Sequence, residues 1–409
     1  MNRRKKYYCL LMLSFALGFT LSSCSDDEPG AEITELGNVT SEMILLGNPL
    51  KQKYKDDTER VYARNVWDMH AFDNKIYFGS GNSSNWGPAP NAGPAVLWSY
   101  DVASQSFIEE YKTGDEQIHL IREFDNQLYI PGHDSRISGW EQGNYYRLES
   151  GEWKMYHIAN AIHVYDMYKW DGKLFISILS SDSKANSIFI SGDDGKSWNP
   201  TYCRYIPSSN PNGEEREYPY RGRLYNMFPM QGKLYVSPML HYSGKDNVFS
   251  LNAAVGTTPL FLGITKPAGL SKRMERQVVF QNRTVYILAV ANNDHQYLPL
   301  VLGAATDWQT AARLALPEGV LSRDIMVKNG RLIVLTSKQN GNSYINSVLT
   351  TSDISSENVQ WKELFRFDAG AFARSFEYLN GVFYFGLAAI FQNLIIPKPI
   401  FFQTKRGIY

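Results

Sequence analysis

The chain has 409 residues, with 41 Lys and Arg against 41 Asp and Glu, and so lacks the basic excess of a general nucleic-acid binder. Its cysteines, Cys9, Cys24 and Cys203, are too few and too scattered for a disulfide framework, which leaves a chain of this length to hold together through its core. The 26 Tyr, 21 Phe and 9 Trp suit many short strands, or stacking on sugars.

In chain order, Arg3, Arg4, Lys5 and Lys6 precede an apolar run over residues 10–21 that is too short to span a bilayer comfortably. This is the pattern of a secretory signal over residues 1–23. Leu21-Ser22-Ser23-Cys24 resembles a bacterial lipobox, which implies cleavage before Cys24 and its lipidation. Ser25-Asp26-Asp27-Glu28 resembles the acidic export signal of Bacteroidota surface lipoproteins. The expectation is an outer-membrane, surface-exposed protein that touches the membrane only through its lipid. Setting aside the four signal bases, 37 Lys and Arg face 41 Asp and Glu, a mildly acidic balance. Residues 24–40 are polar and read as a flexible tether, and 41–409 as one folded body.

That body repeats one hairpin, cleanest in IHVYDMYKWDGKLF at residues 162–175. Two apolar runs flank Asp171-Gly172, and such a pair favours a type I′ turn with positive φ at both residues. Equivalent turns are Asp73-Asn74, Asp125-Asn126, Gln231-Gly232, Gln281-Asn282, Asn329-Gly330 and Asn380-Gly381, spaced 46 to 60 residues apart. A third strand follows each hairpin and in most copies a fourth, and long amphipathic patterns are absent. The expected fold is all-β, a seven-bladed β-propeller. The last copy ends after its third strand, so Met43-Ile44-Leu45-Leu46 is expected to supply the missing strand and close the ring.

Ser191-Gly192-Asp193-Asp194-Gly195-Lys196-Ser197-Trp198 resembles the Asp-box of sialidase-type propellers, and Thr351-Ser352-Asp353 a degenerate copy. The motif implies fold, not chemistry: the carboxylate satisfies turn amides and Gly takes a strained φ. Strand alternation puts these turns on one face, the bottom. The blade-entry loops, the longest over residues 203–222, and the loops between second and third strands, including 79–95 and 131–143, fall on the other face, the top.

Counting nine and seven residues back from each turn gives two positions expected to point the same way on the innermost strands. They bring His119, His163, Arg223, Arg273, Arg323 and Arg374 toward one axial funnel, with His133, His241 and His295 on top loops. A cationic funnel in an acidic protein favours carboxylate or sulfate groups, so the expected partner is an acidic glycan. Architecture and residue type loosely resemble seven-bladed propeller ulvan lyases. That resemblance implies β-elimination from a uronate: His133 or His163 as base, Tyr220 (or Tyr205) as acid, and Arg223 (or Arg221) neutralising the carboxylate. His119, Arg221, Arg273, Arg323 and Arg374 would bind substrate. A non-catalytic glycan-binding lipoprotein, with Trp86, Trp140 and Tyr242 as stacking platforms, is the alternative. A sialidase-like hydrolase is the third reading, although Arg204-Tyr205-Ile206-Pro207 is only a near miss of the early sialidase motif. An unrelated carboxylate pair such as Asp134 with Asp166 would serve a different hydrolase. No nucleotide loop, HExxH, CxxC or calcium loop is present, so no cofactor or metal is expected. The bottom face leaves room for an outer-membrane transporter as partner.

Overall fold

The structure, a computed structural model, describes residues 35–54, 63–83, 93–135, 143–180, 186–204, 208–209, 215–216, 224–238, 249–250, 272–291, 297–306, 311–356, 358–389 and 401–404. It is an all-β propeller. Both residues of every expected turn carry positive φ, for example Asp73 at 47° with Asn74 at 57° and Asp171 at 49° with Gly172 at 69°. Each turn joins an innermost strand to its neighbour, so the two-residue type I′ connection fixes the register of each hairpin.

Among the described residues the first sheet is Met69–Phe72, Lys75–Phe78, Val96–Asp101 and Ser106–Lys112. The second is Arg122–Phe124, Gln127–Pro131, Asn144–Glu149 and Glu152–His157, and the third Ala161–Trp170, Lys173–Ser180, Asn186–Ser191 and Asn199–Arg204. The fourth comprises Leu224–Met230, Lys233–Pro238 and Phe249–Ser250. The fifth is Lys272–Phe280, Arg283–Ala291, Tyr297–Ala305 and Ala311–Arg313, and the sixth Leu321–Lys328, Arg331–Asn340, Ser343–Thr351 and Lys362–Ala369. The seventh is Ala373–Leu379, Val382–Leu387 and Phe401–Thr404, completed by the N-terminal strand Met43–Gly47. That last pairing is antiparallel, with Met43 opposite Thr404 and Leu45 opposite Phe402.

The second strands are buried on both faces, as in Ile76-Tyr77-Phe78 and residues 332–337, and their apolar side chains meet between successive sheets rather than in one central core. Leu128 and Ile130 pack on Tyr77 and Leu97, Val164 and Ile176 on Tyr129 and Tyr145, and Leu224 and Val236 on Phe175 and Ile188. Met274 and Tyr286 pack on Phe228, Ile325 and Leu332 on Val285, and Phe376 and Phe385 on Ile333 and Val348. Tyr384 of the seventh sheet packs with Ile76, Phe78 and Tyr100 of the first, and Asn380 Nδ2 donates to Asn74 Oδ1 at 3.2 Å between their turns. At roughly 1.5–3 kcal/mol per fully buried large side chain, these seams outweigh any single polar contact.

A polar layer ties the innermost strands together. Asp68 Oδ2 accepts from Ile121 N at 2.7 Å, Asp166 Oδ2 from Met227 N at 2.6 Å, and Asp324 Oδ2 from Phe376 N at 3.2 Å, each reaching the next sheet's backbone. Arg122 grips Asp166 with Nε at 3.1 Å and Nη2 at 2.7 Å. Arg276 lies 3.1 Å from Asp324 and 3.3 Å from Asp68, and also donates to the Trp67 carbonyl. Arg122 and Arg276 were not among the sequence candidates, yet they are the cations that satisfy the buried aspartates.

The turn over residues 191–198 has the hydrogen bonds expected of its carboxylate. Ser197 donates to Asp193 through N at 2.9 Å and Oγ at 2.6 Å, and these bonds with Ser191 hold the Asp193 carboxyl down at about 2. Ser355 repeats the pattern on Asp353, through N at 2.7 Å and Oγ at 2.9 Å. Lys169 joins Asp125 of the second-sheet turn, at 2.7 Å, to Asp194 of the 191–198 turn, at 3.8 Å, so these two turns do share a face.

The folded body begins before residue 41. Leu36 N donates to Leu364 O, Val39 N to Arg366 O, and Arg366 N to Gly37 O, so residues 36–39 run along the outer edge of the sixth sheet instead of belonging to a tether. No helix among the described residues is long and apolar enough to cross a membrane.

Candidate functional site

Five innermost strands carry a β-bulge at the same place, where two residues oppose one. The register slips between Val164 and Asp166, Leu224 and Asn226, Met274 and Arg276, Ser322 and Asp324, and Ala373 and Ser375. The extra residues are Tyr165, Tyr225, Glu275, Arg323 and Arg374. These are the positions seven back from each turn. The reason they project together is therefore the bulge, which re-aims one side chain and leaves the ladder on either side intact. Simple alternation with period two does not hold through this segment.

The second sheet departs from the expected pattern. Its innermost strand is only Arg122–Phe124, and Gln117 belongs instead to a two-stranded ribbon in which Asp115–Gln117 pairs with His133–Ser135. Gln117 faces His133 across this ribbon, so His133 sits on a strand rather than in a loop. The ribbon is anchored from below: Tyr146 donates its hydroxyl to the fully buried Asp115, and Gly132 N donates to Asn144 O at 2.8 Å. Burial and the Asp115 carboxylate push the Tyr146 hydroxyl well above its ordinary range, so it acts as a fixed donor.

The ribbon and the bulges bring three of the predicted histidines together. The His119 and His133 rings are 4.9 Å apart at 71°, and His133 lies 5.9 Å from Tyr165. His163 lies 5.7 Å from Tyr165, which stacks on Tyr225 at 5.8 Å and 25°. Tyr225 in turn touches His119 at 5.8 Å and His133 at 6.3 Å. His119 Nε2 is 3.1 Å from the Tyr165 carbonyl. His133 and Tyr165 are buried at 3% and 1% exposure, and His119 and Tyr225 at 9% and 6%, whereas His163 is half-buried. His163 is thus the imidazole of this cluster that a ligand reaches most directly, with the other rings forming its floor. Tyr165 and Tyr225 were not singled out from sequence, although the same count of residues lands on them.

A second group gathers at the sixth, seventh and first sheets. Arg323 Cζ lies 3.8 Å over the Phe372 ring, and Arg374 Cζ lies 4.4 Å over Trp67 and 5.4 Å from Phe372. Arg323 Nε donates to Ser337 Oγ at 2.7 Å. Burial and the neighbouring Arg374 push the Arg323 guanidinium down to about 9, against the opposing influence of Tyr344 and Glu275. Arg323 and Arg374 therefore do lie side by side, but apart from the histidines rather than in one even ring of cations.

Other expectations meet different outcomes. Asp166 is fully buried, bound to Arg122 and to two backbone N–H groups, so it is a structural anchor and not half of a hydrolase pair with Asp134. The backbone of Arg273 pairs with Ala289 at the start of its strand; its side chain, with Cys24, Trp86, Trp140, Tyr205, Tyr220, Arg221, Arg223, His241, Tyr242 and His295, lies outside the described residues. Among the described residues no group of three His, Cys, Asp or Glu side chains is arranged to hold a metal ion.

No protein-family model matches the chain, and no curated protein matches it in sequence. Solved structures of similar shape include a GH74 xyloglucanase from Xanthomonas campestris, 11% identical, with a TM-score of 0.49 over 82% of this chain and 53% of that one. This chain thus spans about half the length of that enzyme. Polysaccharide lyase Uly1 is 8% identical, covering 87% of this chain and 92% of its own at a TM-score of 0.47. A putative 6-phosphogluconolactonase from Bacteroides fragilis is 10% identical, covering 80% and 97% at 0.42. At these identities and scores the likeness says nothing of activity, and what the site does has to follow from its own residues.

Proposed function

We propose that the sheets are the seven blades of one closed propeller and that the chain is a surface lipoprotein, anchored through Cys24, that acts on an acidic polysaccharide. The observation that supports this reading is the cluster of His119, His133 and His163 with Tyr165 and Tyr225 on the second to fourth sheets. Imidazole is the side chain suited to accept and return a proton near neutrality, and a tyrosine hydroxyl can donate to a leaving oxygen. In β-elimination, His163 takes the C5 proton of a uronate, the C4–O bond breaks, and the electron pair forms the C4–C5 double bond. The leaving oxygen needs an acid, a role we assign to Tyr220, while Arg223 neutralises the carboxylate so that the C5 proton becomes acidic. His119 and His133 act as positioning residues that fix the His163–Tyr165 face.

The test is to incubate the purified mature chain with uronate polysaccharides and follow absorbance of the unsaturated uronate. A rise that disappears in His163→Ala and Arg223→Ala supports the lyase. The near-complete burial of His119, His133 and Tyr165 favours a second reading, a glycan-binding protein in which these rings are only scaffold. Saturable glycan binding without new unsaturated ends supports that one.

A further inference from the structure

Among the described residues the arginines of the innermost strands fall into two kinds. Arg122 and Arg276 are committed to carboxylates: Arg122 to Asp166, and Arg276 to Asp68 and Asp324. Arg323 is different. Its Nε is used by Ser337 and its plane lies against Phe372, but among the described residues no carboxylate forms an ion pair with it. Beside it stands a second guanidinium, Arg374, whose plane rests on Trp67.

We propose that Arg323 and Arg374, both against the Phe372 ring, form an oxyanion-binding site separate from the histidine cluster, and that its ligand is the carboxylate or sulfate ester of an acidic sugar. Three features carry this. Both arginines sit on bulges of adjacent innermost strands, so their direction is fixed by backbone rather than by flexible loops. The Ser337 bond and the Phe372 face lock the Arg323 plane and leave its two Nη groups as a preset fork, the geometry that matches two oxygens of a carboxylate or sulfate. The two guanidiniums lie against the same Phe372 ring, at 3.8 and 5.4 Å, close enough for one oxyanion to meet both. The acid on the neighbouring bulge, Glu275, accepts from Arg276 Nη1 through its backbone carbonyl at 3.0 Å and favours the charged form of Arg323.

This rests on the acidic-glycan reading and names the groups that would recognise the acid, but its test needs no turnover. The mature chain is titrated with sodium sulfate and, separately, sodium glucuronate, each against sodium chloride at matched ionic strength, with thermal unfolding and calorimetry as readouts. At least one oxyanion should raise the melting temperature saturably beyond chloride. Arg323→Gln and Arg374→Gln should each weaken that binding tenfold or more, and Arg323→Lys, which keeps the charge but loses the fork, several-fold. Arg323→Gln should also leave the anion-free protein as stable as before or more so, because it removes one of two like charges. Gly192→Ala, in a turn on the opposite face, should bind the anions unchanged. Sulfate response without glucuronate response identifies a sulfate ester, and the reverse a uronate. The proposal is overturned if neither anion acts beyond chloride, or if the response survives in Arg323→Gln and Arg374→Gln. Oxyanion binding with no elimination from any uronate polymer would retire the lyase and leave this site standing.

Discussion

Glu377 offers the sharpest test of the packing around the axis. It lies on the innermost strand of the seventh sheet, where its Oε2 accepts from Ala71 N of the first sheet at 3.0 Å. Burial, with Asp324 and Asp68 nearby, pushes its carboxyl up to about 8 from an ordinary 4.5, against the Ala71 bond and Lys328. The folded state therefore binds a proton that the unfolded chain releases. The stability this group contributes is fully present below pH 4.5 and is lost as pH rises through about 8. At ~1.36 kcal/mol per pH unit the gap has an upper limit of roughly 5 kcal/mol; the side chain keeps an edge to water, so about 2 kcal/mol is the working figure. Glu377→Gln keeps an oxygen for Ala71 N–H but cannot ionise. Thermal unfolding followed by circular dichroism should show the wild type losing about 3 °C between about pH 5.5 and about pH 8.5 relative to the variant. Equal pH dependence in the two proteins would refute the reasoning.

Two further outcomes follow from the same layer and from the turn over residues 191–198. Arg276→Met leaves Asp68 and Asp324 buried without their cation and should cost about 3–5 kcal/mol, read from the urea midpoint. Adding Asp324→Asn should recover part of that loss, because Asp324, already pushed up to about 7 by burial, is then never charged. Gly195→Ala places a Cβ 2.2 Å from the Tyr145 hydroxyl at a φ of +84°, and should cost roughly 1–3 kcal/mol in the same assay. Gly192→Ala in the same turn meets nothing within 4 Å and should be nearly neutral.

The fold was legible because its signals are local. Asp171-Gly172 and its equivalents take positive φ, and each is flanked by two apolar runs that read as strands. The closing strand Met43–Gly47 was legible for a related reason: the last copy of the repeat lacks an edge partner. The site was legible only in part. Counting back from the turns brought His163, Arg323 and Arg374 into view, but the repeat breaks at the second sheet, where a short innermost strand and a separate ribbon put His133 on a strand instead of a top loop. Arg122 and Arg276 were missed because their significance lies in which buried aspartates they meet, and one sequence does not display contacts across sheets. The limit of residues 24–40 as a tether was misread for a similar reason. Residues 36–39 are held by backbone bonds to Leu364 and Arg366, which leave no composition signal.

The bulge explains how one repeated strand can carry both scaffold and site. After the slip, the ladder resumes with a residue that faces the polar layer: Asp166, Arg276 and Asp324 tie one sheet to the next. The residue in the bulge itself is excused from pairing, and so its identity is set by what it meets at the axis. It is Tyr at the third and fourth sheets, Glu at the fifth, and Arg at the sixth and seventh. Adjacent positions thus answer to different demands, one to the stability of the ring and one to its ligand. Changing Arg323 should consequently alter anion binding with little loss of stability, while changing Asp324, the very next residue, should do the reverse. That opposition between neighbours is what separates a built site from a row of buried charges that merely fill space.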